Sequence, residues 1–189
     1  MKKLGIAISL LFTMQLLHAQ EKLNIDTNKS TIKWIGELTF NFGGHDGYIN
    51  FKEGFFIKEN KVITGGEFII DMNSITNTDI KEKALKVNLV DHLKNEDFFD
   101  VKNHPTAKLK IKNVEYFNDE IYDGRIFADL TIKDITKPIQ FFVNFNYKKQ
   151  ELQARFKIDR KEWGINYQSK FKNSFISDAI GFDTFIKLQ

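Results

Sequence analysis

Most of the sequence beyond residue 30 alternates between apolar and polar residues with a period of two. In TIKWIGE, Ile32 and Trp34 fall on one face, and in QFFVNFNYK, Phe141, Val143 and Phe145 fall on one face. Because successive side chains of a β-strand point to opposite sides of a sheet, this pattern predicts strands that are apolar on one face only. The same alternation occurs at residues 49–56 and in GGEFIIDM, AKLKI, DLTIKD, ARFKID and FDTFIKL, which gives about eight strands.

Turn signals separate these segments. FGGHDG, KENK and FNDE stand between successive apolar runs, and Gly, Asn and Asp favour tight turns. Antiparallel strands joined by short loops, with one polar face, form either a sandwich or a closed barrel. Since no repeat or low-complexity linker interrupts residues 20–189, we expect one all-β, mainly antiparallel domain over that range.

One helical segment is expected between the strands, at residues 78–94. Asn77 or the threonine after it is suited to the N-cap position. Leu85, Leu89 and Leu93 recur at intervals of four and make a narrow apolar stripe. A single short helix inserted among strands favours a barrel whose mouth or flank the helix covers.

The first 19 residues have the order of a secretory signal peptide. Two lysines precede an apolar run from Leu4 to Leu17, and the small residue Ala19 suits cleavage. Because the run is short for a membrane span, we expect an exported protein, periplasmic or secreted, with no stable membrane anchor. The sequence has no cysteine, which excludes disulfides, thiolate metal sites and a lipidated cysteine.

The composition argues against nucleic acid as a partner and for an apolar interior. The formal net charge is +3, and two of the lysines lie in the predicted signal peptide, so the sequence shows no basic stripe of the kind that binds nucleic acid. The chain has 19 phenylalanines. So many large aromatic side chains fit either a packed core or an apolar cavity, and composition does not separate these two interpretations.

No local motif predicts catalysis. The sequence lacks the GxSxG and HExxH patterns. His45, His92 and His104 could supply nitrogen ligands to a metal, which leaves a metal-dependent enzyme as an alternative, although their spacing matches no familiar zinc pattern. The acids at residues 96–100 crowd one turn, whereas the two acids of a glycosidase generally come from separate strands lining a cleft. We therefore assign no catalytic residue, metal site or cofactor.

Six segments in a fixed order resemble the YceI-like family of periplasmic proteins. They are STIKWIGE, GGHDGYINFKEG, GGEFIIDMNSI, HLKNEDFFDVKNHPTAKLKI, ADLTIKDITKPI and IDRKEWGINY, and the resemblance covers residues 26–188. HLKNEDFFDV and WGINY are similar to the form common in Bacteroidetes-type bacteria. The resemblance implies a closed, lipocalin-like barrel whose apolar tunnel binds a polyisoprenoid or another long-chain amphiphilic lipid, such as a quinone tail. It implies no catalytic residues.

Inward-facing residues away from the turns are the predicted ligand contacts. They are Trp34, Phe68, Ile70, Leu130, Ile132, Phe141, Val143 and Phe145 on the strands, with Leu85 and Leu89 of the helix as a lid. Alternation shows which residues share a face but not which face is inward, and a slip of one residue reverses every assignment. Besides lipid carriage or storage and metal-dependent catalysis, a solid barrel acting as an interaction module stays open. Aromatic side chains exposed at the mouth would favour a homodimer.

Overall fold

The computed structural model describes residues 20–39, 43–118, 120–167 and 176–189. The predicted signal peptide, residues 1–19, lies outside these described residues. The elements, in chain order, are β1 (Glu21–Asn24), β2 (Thr31–Leu38), β3 (Gly44–Glu59), β4 (Val62–Asp71), α1 (Lys83–Lys94), β5 (Thr106–Tyr116), β6 (Gly124–Ile132), β7 (Ile135–Asn146), β8 (Glu151–Asp159) and β9 (Ile176–Lys187). Two short 3₁₀ turns follow β4 and β8, at Met72–Ser74 and Arg160–Trp163.

Strands β2 to β9 form a closed antiparallel barrel. Their order around the barrel is β3-β2-β9-β8-β7-β6-β5-β4, and β4 pairs again with β3. The short β1 pairs with the C-terminal half of β3, with Leu23 opposite Phe56. Closure removes the exposed edges that an open sheet of this size would have. The predicted class, an eight-stranded barrel with one inserted helix, is confirmed, while β1 is an extra strand that the alternation did not indicate.

The predicted alternation sets which side chains fill the barrel. Along β6 every second residue is buried, from Gly124 through Ile126, Ala128 and Leu130 to Ile132. On β7, Phe141 is 8% exposed and its neighbour Phe142 is 37% exposed. The inward face is therefore the one carrying the residues predicted as ligand contacts.

The β6–β7 hairpin shows how turn chemistry fixes this register. Lys133 and Asp134 both have positive φ, 49° and 60°, as in the two-residue turns that suit the twist of antiparallel strands. Thr131 and Thr136 pair across the hairpin, and their hydroxyl oxygens are 2.8 Å apart.

Helix α1 begins at Lys83, five residues later than predicted. The preceding segment is bonded to β3 instead, since the backbone N–H groups of Thr76 and Thr78 donate to β3 carbonyls. The Asp79 carboxylate accepts from the backbone N–H of Asp46. The backbone and side-chain groups that would otherwise cap and start the helix are thus hydrogen-bonded to the sheet. The C-terminal end, at Lys94, is as predicted.

The turn after β8 closes one corner of the barrel at the helix end. Arg160 is 2% exposed, and its guanidinium donates to the carbonyls of Ile165 and Ser177 and to the Asp178 carboxylate. The indole of Trp163 is also buried and donates to the Leu130 carbonyl, 3.1 Å away. Both side chains therefore satisfy their polar groups inside the fold.

Candidate functional site: an apolar cavity in the barrel

The barrel contains a cavity of about 210 Å³. All eight barrel strands and α1 contribute to its lining, which is almost entirely aliphatic and aromatic. For comparison, an apolar cavity of about 150 Å³ in an engineered protein takes up benzene or xenon. An apolar space of this size favours an apolar ligand, because burying apolar surface contributes about 25 cal/mol per Å².

Two groups of aromatic rings form much of the wall. On β7, β8 and β9, the Phe141 and Phe156 rings stack with centroids 4.5 Å apart, and Phe182 lies 5.4 Å from Phe156. On β3 and β4, Phe68 contacts Phe56 edge-on at 4.9 Å and Phe51 at 5.9 Å. Such rings offer large contact areas while losing little conformational freedom when a ligand binds.

Helix α1 and the loop after it cover the end of the cavity where β4 ends and β5 begins. Leu89, His92 and Leu93 of the helix line the cavity together with Phe98 and Phe99 of the loop. The Phe98 and Phe99 rings meet edge to face, 4.9 Å apart. The cover is thus apolar except for one imidazole.

An aromatic cluster lies at the opposite end of the barrel. The Phe145 ring stacks against Tyr116 at 5.5 Å and against Tyr147 at 5.6 Å. The Tyr116 hydroxyl accepts from the backbone N–H of Ile63 and donates to its carbonyl, at 2.8 and 2.9 Å. Burial and the nearby Tyr147 raise the pKa of Tyr116, so it stays protonated. None of these three rings is part of the cavity lining.

Charged side chains at the cavity margin already have partners. His45 Nδ1 lies 2.8 Å from the Asp79 carboxylate, Glu37 lies 3.0 Å from the Lys157 ammonium, and Arg160 bonds Asp178. Burial would raise the pKa of Asp79, but hydrogen bonds from His45, from a backbone N–H and from a side-chain amide hold it below its usual range. The margin is therefore polar but internally neutralised.

A second carboxylate beside His45 is held ionised in the same way. Hydrogen bonds from the Lys33 ammonium and the Thr78 hydroxyl lower the pKa of Asp46. Lys33 Nζ is 2.6 Å from the Asp46 carboxylate, and the pKa of Lys33 is raised in turn.

Seven of the ten predicted contact residues line the cavity. They are Trp34, Phe68, Ile70, Leu89, Leu130, Ile132 and Phe141. Trp34 also donates its indole N–H to the Thr76 carbonyl at 2.9 Å, which fixes the ring at the cavity wall. Direct contact of these seven residues with a ligand stays a prediction.

The other three predicted residues lie outside the cavity, each for a different reason. Leu85 lies in the first turn of α1 and is 52% exposed to solvent. Val143 is 1% exposed and packs against other side chains of the core instead of lining the cavity. Phe145 belongs to the aromatic cluster with Tyr116 and Tyr147. Val143 and Phe145 thus share the inward face of β7 with Phe141 without lining the cavity.

Several lining residues were not among the predicted contacts. Leu109, Phe156 and Phe182 occur on the same alternating faces, so the period-two pattern already contained a signal for them. Phe98 and Phe99 come from a loop with no periodicity. Tertiary folding alone brings them to the cavity.

The three candidate metal-binding histidines each meet a different carboxylate set. His45 contacts Asp79, His92 has Asp97 at 3.9 Å, and His104 lies 3.7 Å from Asp100 and 3.1 Å from Asp134. Within residues 20–39, 43–118, 120–167 and 176–189, no three His, Asp or Glu side chains are grouped to hold a metal ion. The same residues include no helix with the length and apolarity needed to cross a membrane.

Comparison with known proteins gives a match to one family. The profile of the YceI-like domain matches residues 23–188. A Pseudomonas putida protein named UPF0312 protein is 27% identical over 144 residues, which are 76% of this chain and 70% of that protein.

Solved structures share the fold at low sequence identity. Burkholderia cenocepacia BcnA superposes with a TM-score of 0.69 at 17% identity, over 86% of this chain and 98% of that one. A polyisoprenoid-binding domain from Saccharophagus degradans, implicated in plant cell wall breakdown, gives a TM-score of 0.57 at 11% identity, over 88% and 98%.

Proposed function

The chain belongs to the YceI-like domain family, and we propose that it is an exported, non-catalytic protein that encloses the apolar part of a long-chain amphiphile for carriage or storage. The observation that carries this proposal is the continuous apolar lining of the barrel cavity. A linear lipid needs no acid, base or metal for binding, and the charged groups at the cavity margin are neutralised by neighbours.

A polyisoprenoid or a quinone tail is the ligand class that we propose. The Saccharophagus degradans neighbour is described as a polyisoprenoid-binding domain, and an unsaturated, methyl-branched chain suits walls made of stacked phenylalanines. Helix α1 contributes to the cavity lining at one end of the barrel, and the Tyr116–Phe145–Tyr147 cluster occupies the other end. We propose that the lipid places its polar group near α1, where the lining includes an imidazole.

Export is proposed on the sequence of residues 1–19. A carrier outside the cytoplasm would hold an insoluble lipid in water between membranes.

We propose that the lipid binds one to one, because the barrel has one continuous apolar space of modest volume.

A matched pair of substitutions on β8 tests the proposal. Ala154 is buried and lines the cavity, and the adjacent Gln153 is exposed. Ala154→Phe inserts a ring into the cavity, whereas Gln153→Phe adds the same ring to the outside of the same strand. If the inserted ring excludes about two methylene groups of ligand, the loss is about 1.6 kcal/mol, or roughly fifteenfold in Kd.

The assay is displacement of the apolar fluorophore N-phenyl-1-naphthylamine by geranylgeraniol. We expect saturable displacement from the wild type and from Gln153→Phe, and weaker binding of geranylgeraniol to Ala154→Phe. Circular dichroism and thermal melts establish that both variants are folded. Equal affinity in all three proteins, or no saturable displacement from the wild type, would exclude the cavity as a lipid site.

A further inference from the structure

One polar atom lies unpaired inside the otherwise apolar cavity. Nε2 of His92 is buried, and among the described residues it is the only buried side-chain nitrogen or oxygen without a hydrogen-bond partner. His92 lies in the last turn of α1 and is part of the cavity lining. Because an unpaired buried polar group costs about 1–3 kcal/mol, a group left open at a binding site indicates a partner that the ligand supplies.

Neighbouring groups fix the imidazole ring and its preferred tautomer. The ring packs edge to face against Tyr167, with centroids 4.3 Å apart, and against Phe98 at 5.9 Å. The carboxylate of Asp97 lies 3.9 Å from Nδ1. In the neutral imidazole, this negative charge favours the tautomer that carries its proton on Nδ1, which leaves a lone pair on Nε2.

The charged groups at the cavity margin argue against an acidic ligand group. Arg160 is the buried cation of the lining, and its guanidinium is taken up by Asp178 and two backbone carbonyls. His45 is paired with Asp79. A carboxylate or phosphate entering the cavity would have to displace one of these partners, whereas a neutral hydrogen-bond donor could bond to Nε2 without displacing any of them.

We propose that Nε2 of His92 accepts a hydrogen bond from the hydroxyl group of a ligand whose apolar chain fills the barrel. The preferred ligands are then long-chain alcohols and phenols, including the reduced, hydroxyl-bearing form of a quinone head group. An ether, aldehyde or hydrocarbon of the same chain lacks the donor and binds more weakly. This inference rests on the proposed function of the cavity as a lipid site.

The test uses three probes that share one chain: farnesol, farnesyl methyl ether and farnesal. Only farnesol carries an O–H donor. Displacement of N-phenyl-1-naphthylamine gives the affinity of each probe for the wild type and for His92→Phe, His92→Gln and His104→Gln. His104 is absent from the cavity lining and serves as the control.

The wild type and His104→Gln should bind farnesol about tenfold more tightly than the ether and the aldehyde, as expected for one buried hydrogen bond. His92→Phe should bind the three probes equally, with little change in affinity for the ether. His92→Gln keeps an acceptor oxygen and should retain part of the preference, which separates loss of the acceptor from misfolding.

Three results would overturn the inference, and they are distinguishable. Equal binding of all three probes to the wild type removes the role of His92 but leaves the cavity as a lipid site. Failure of every probe to displace the fluorophore contradicts the proposed function itself and removes the inference with it. An unchanged preference in His92→Phe also overturns it.

Discussion

Replacing Gly47 by alanine should destabilise the barrel, because the backbone of another segment occupies the space of its side chain. A Cβ atom at Gly47 would lie 1.9 Å from the Thr76 carbonyl oxygen and 2.8 Å from Nε1 of Trp34. Ordinary contacts of a Cβ atom are 3.4–4 Å. The Thr76 carbonyl would therefore have to retreat by well over an ångström.

The cost follows from the hydrogen bonds that this retreat breaks. The Thr76 carbonyl accepts from the Trp34 indole at 2.9 Å, and the Thr76 N–H donates to the Tyr48 carbonyl at 2.9 Å. At about 1 kcal/mol each, their loss costs about 2 kcal/mol. An alanine that fits in a strand is about 0.5–1 kcal/mol more favourable than glycine, so the steric effect must be judged against a fitting control.

Gly65→Ala is that control, since Gly65 also lies in a barrel strand. A Cβ atom there would first meet Cδ1 of Ile57, at 3.4 Å, which is ordinary contact with a flexible side chain. Gly65→Ala should be neutral or slightly stabilising, and Gly47→Ala should fall about 2–3 kcal/mol below it. For a domain of this size that difference is roughly 4–12 °C in Tm.

Urea denaturation followed by far-UV circular dichroism measures the difference. Both variants should unfold with the same m value, because neither alters the surface exposed on unfolding. If the free energy of unfolding of Gly47→Ala lies within about 0.5 kcal/mol of that of Gly65→Ala, the close approach of Thr76 to β3 does not constrain the fold as argued.

Two further predictions concern the aromatic cluster around Tyr116 and the charged margin of the cavity. Tyr116→Phe removes both hydrogen bonds to the Ile63 backbone and should lower the free energy of unfolding by about 1–3 kcal/mol. The exposed hydroxyl of Tyr147 contacts only that of Tyr116, at 3.3 Å, so Tyr147→Phe should change the free energy of unfolding by under about 0.5 kcal/mol. Equal urea midpoints for the two variants would contradict a stabilising role of the Tyr116 hydrogen bonds. The pKa of Asp79 is lowered in the folded state, so its ionised form contributes stability above the unfolded value of about 3.9, and this contribution disappears as the pH falls through the folded value. Asp79→Asn should therefore reduce the dependence of the urea midpoint on pH below about pH 4, and a profile parallel to that of the wild type would refute this role.

The sequence predicts the barrel well because most strands carry one buried face. Ile126, Ala128, Leu130 and Ile132 illustrate this, since each is buried and the residues that alternate with them are partly exposed. Strand β1 is missed because EKLN contains a single apolar residue, Leu23, and pairs with β3 mainly through its backbone. Periodicity detects strands that carry several alternating apolar residues and misses a strand that carries only one.

The start of α1 and the depth of the cavity depend on contacts that are distant in sequence. Asp79 is a residue type that is favoured in the first turn of a helix, but its carboxylate accepts hydrogen bonds from His45 and Asp46 of β3. Phe145 shares a strand face with Phe141, yet stacking with Tyr116 places it outside the cavity. Such positions are decided by which strand ends meet, and local pattern carries no information on that.

The central claim, that the barrel holds a lipid, is tested most directly by native mass spectrometry of the protein purified from its own cells under gentle conditions. We expect a fraction of the wild type to carry an added mass of one long-chain amphiphile, to lose it on organic extraction, and to yield a lipid that rebinds to the extracted protein. Ala154→Phe, purified in parallel, should carry little or none of it, and Gln153→Phe should carry as much as the wild type. A wild-type protein that is always found at the mass of the bare chain, and whose extract contains no lipid, would contradict the account.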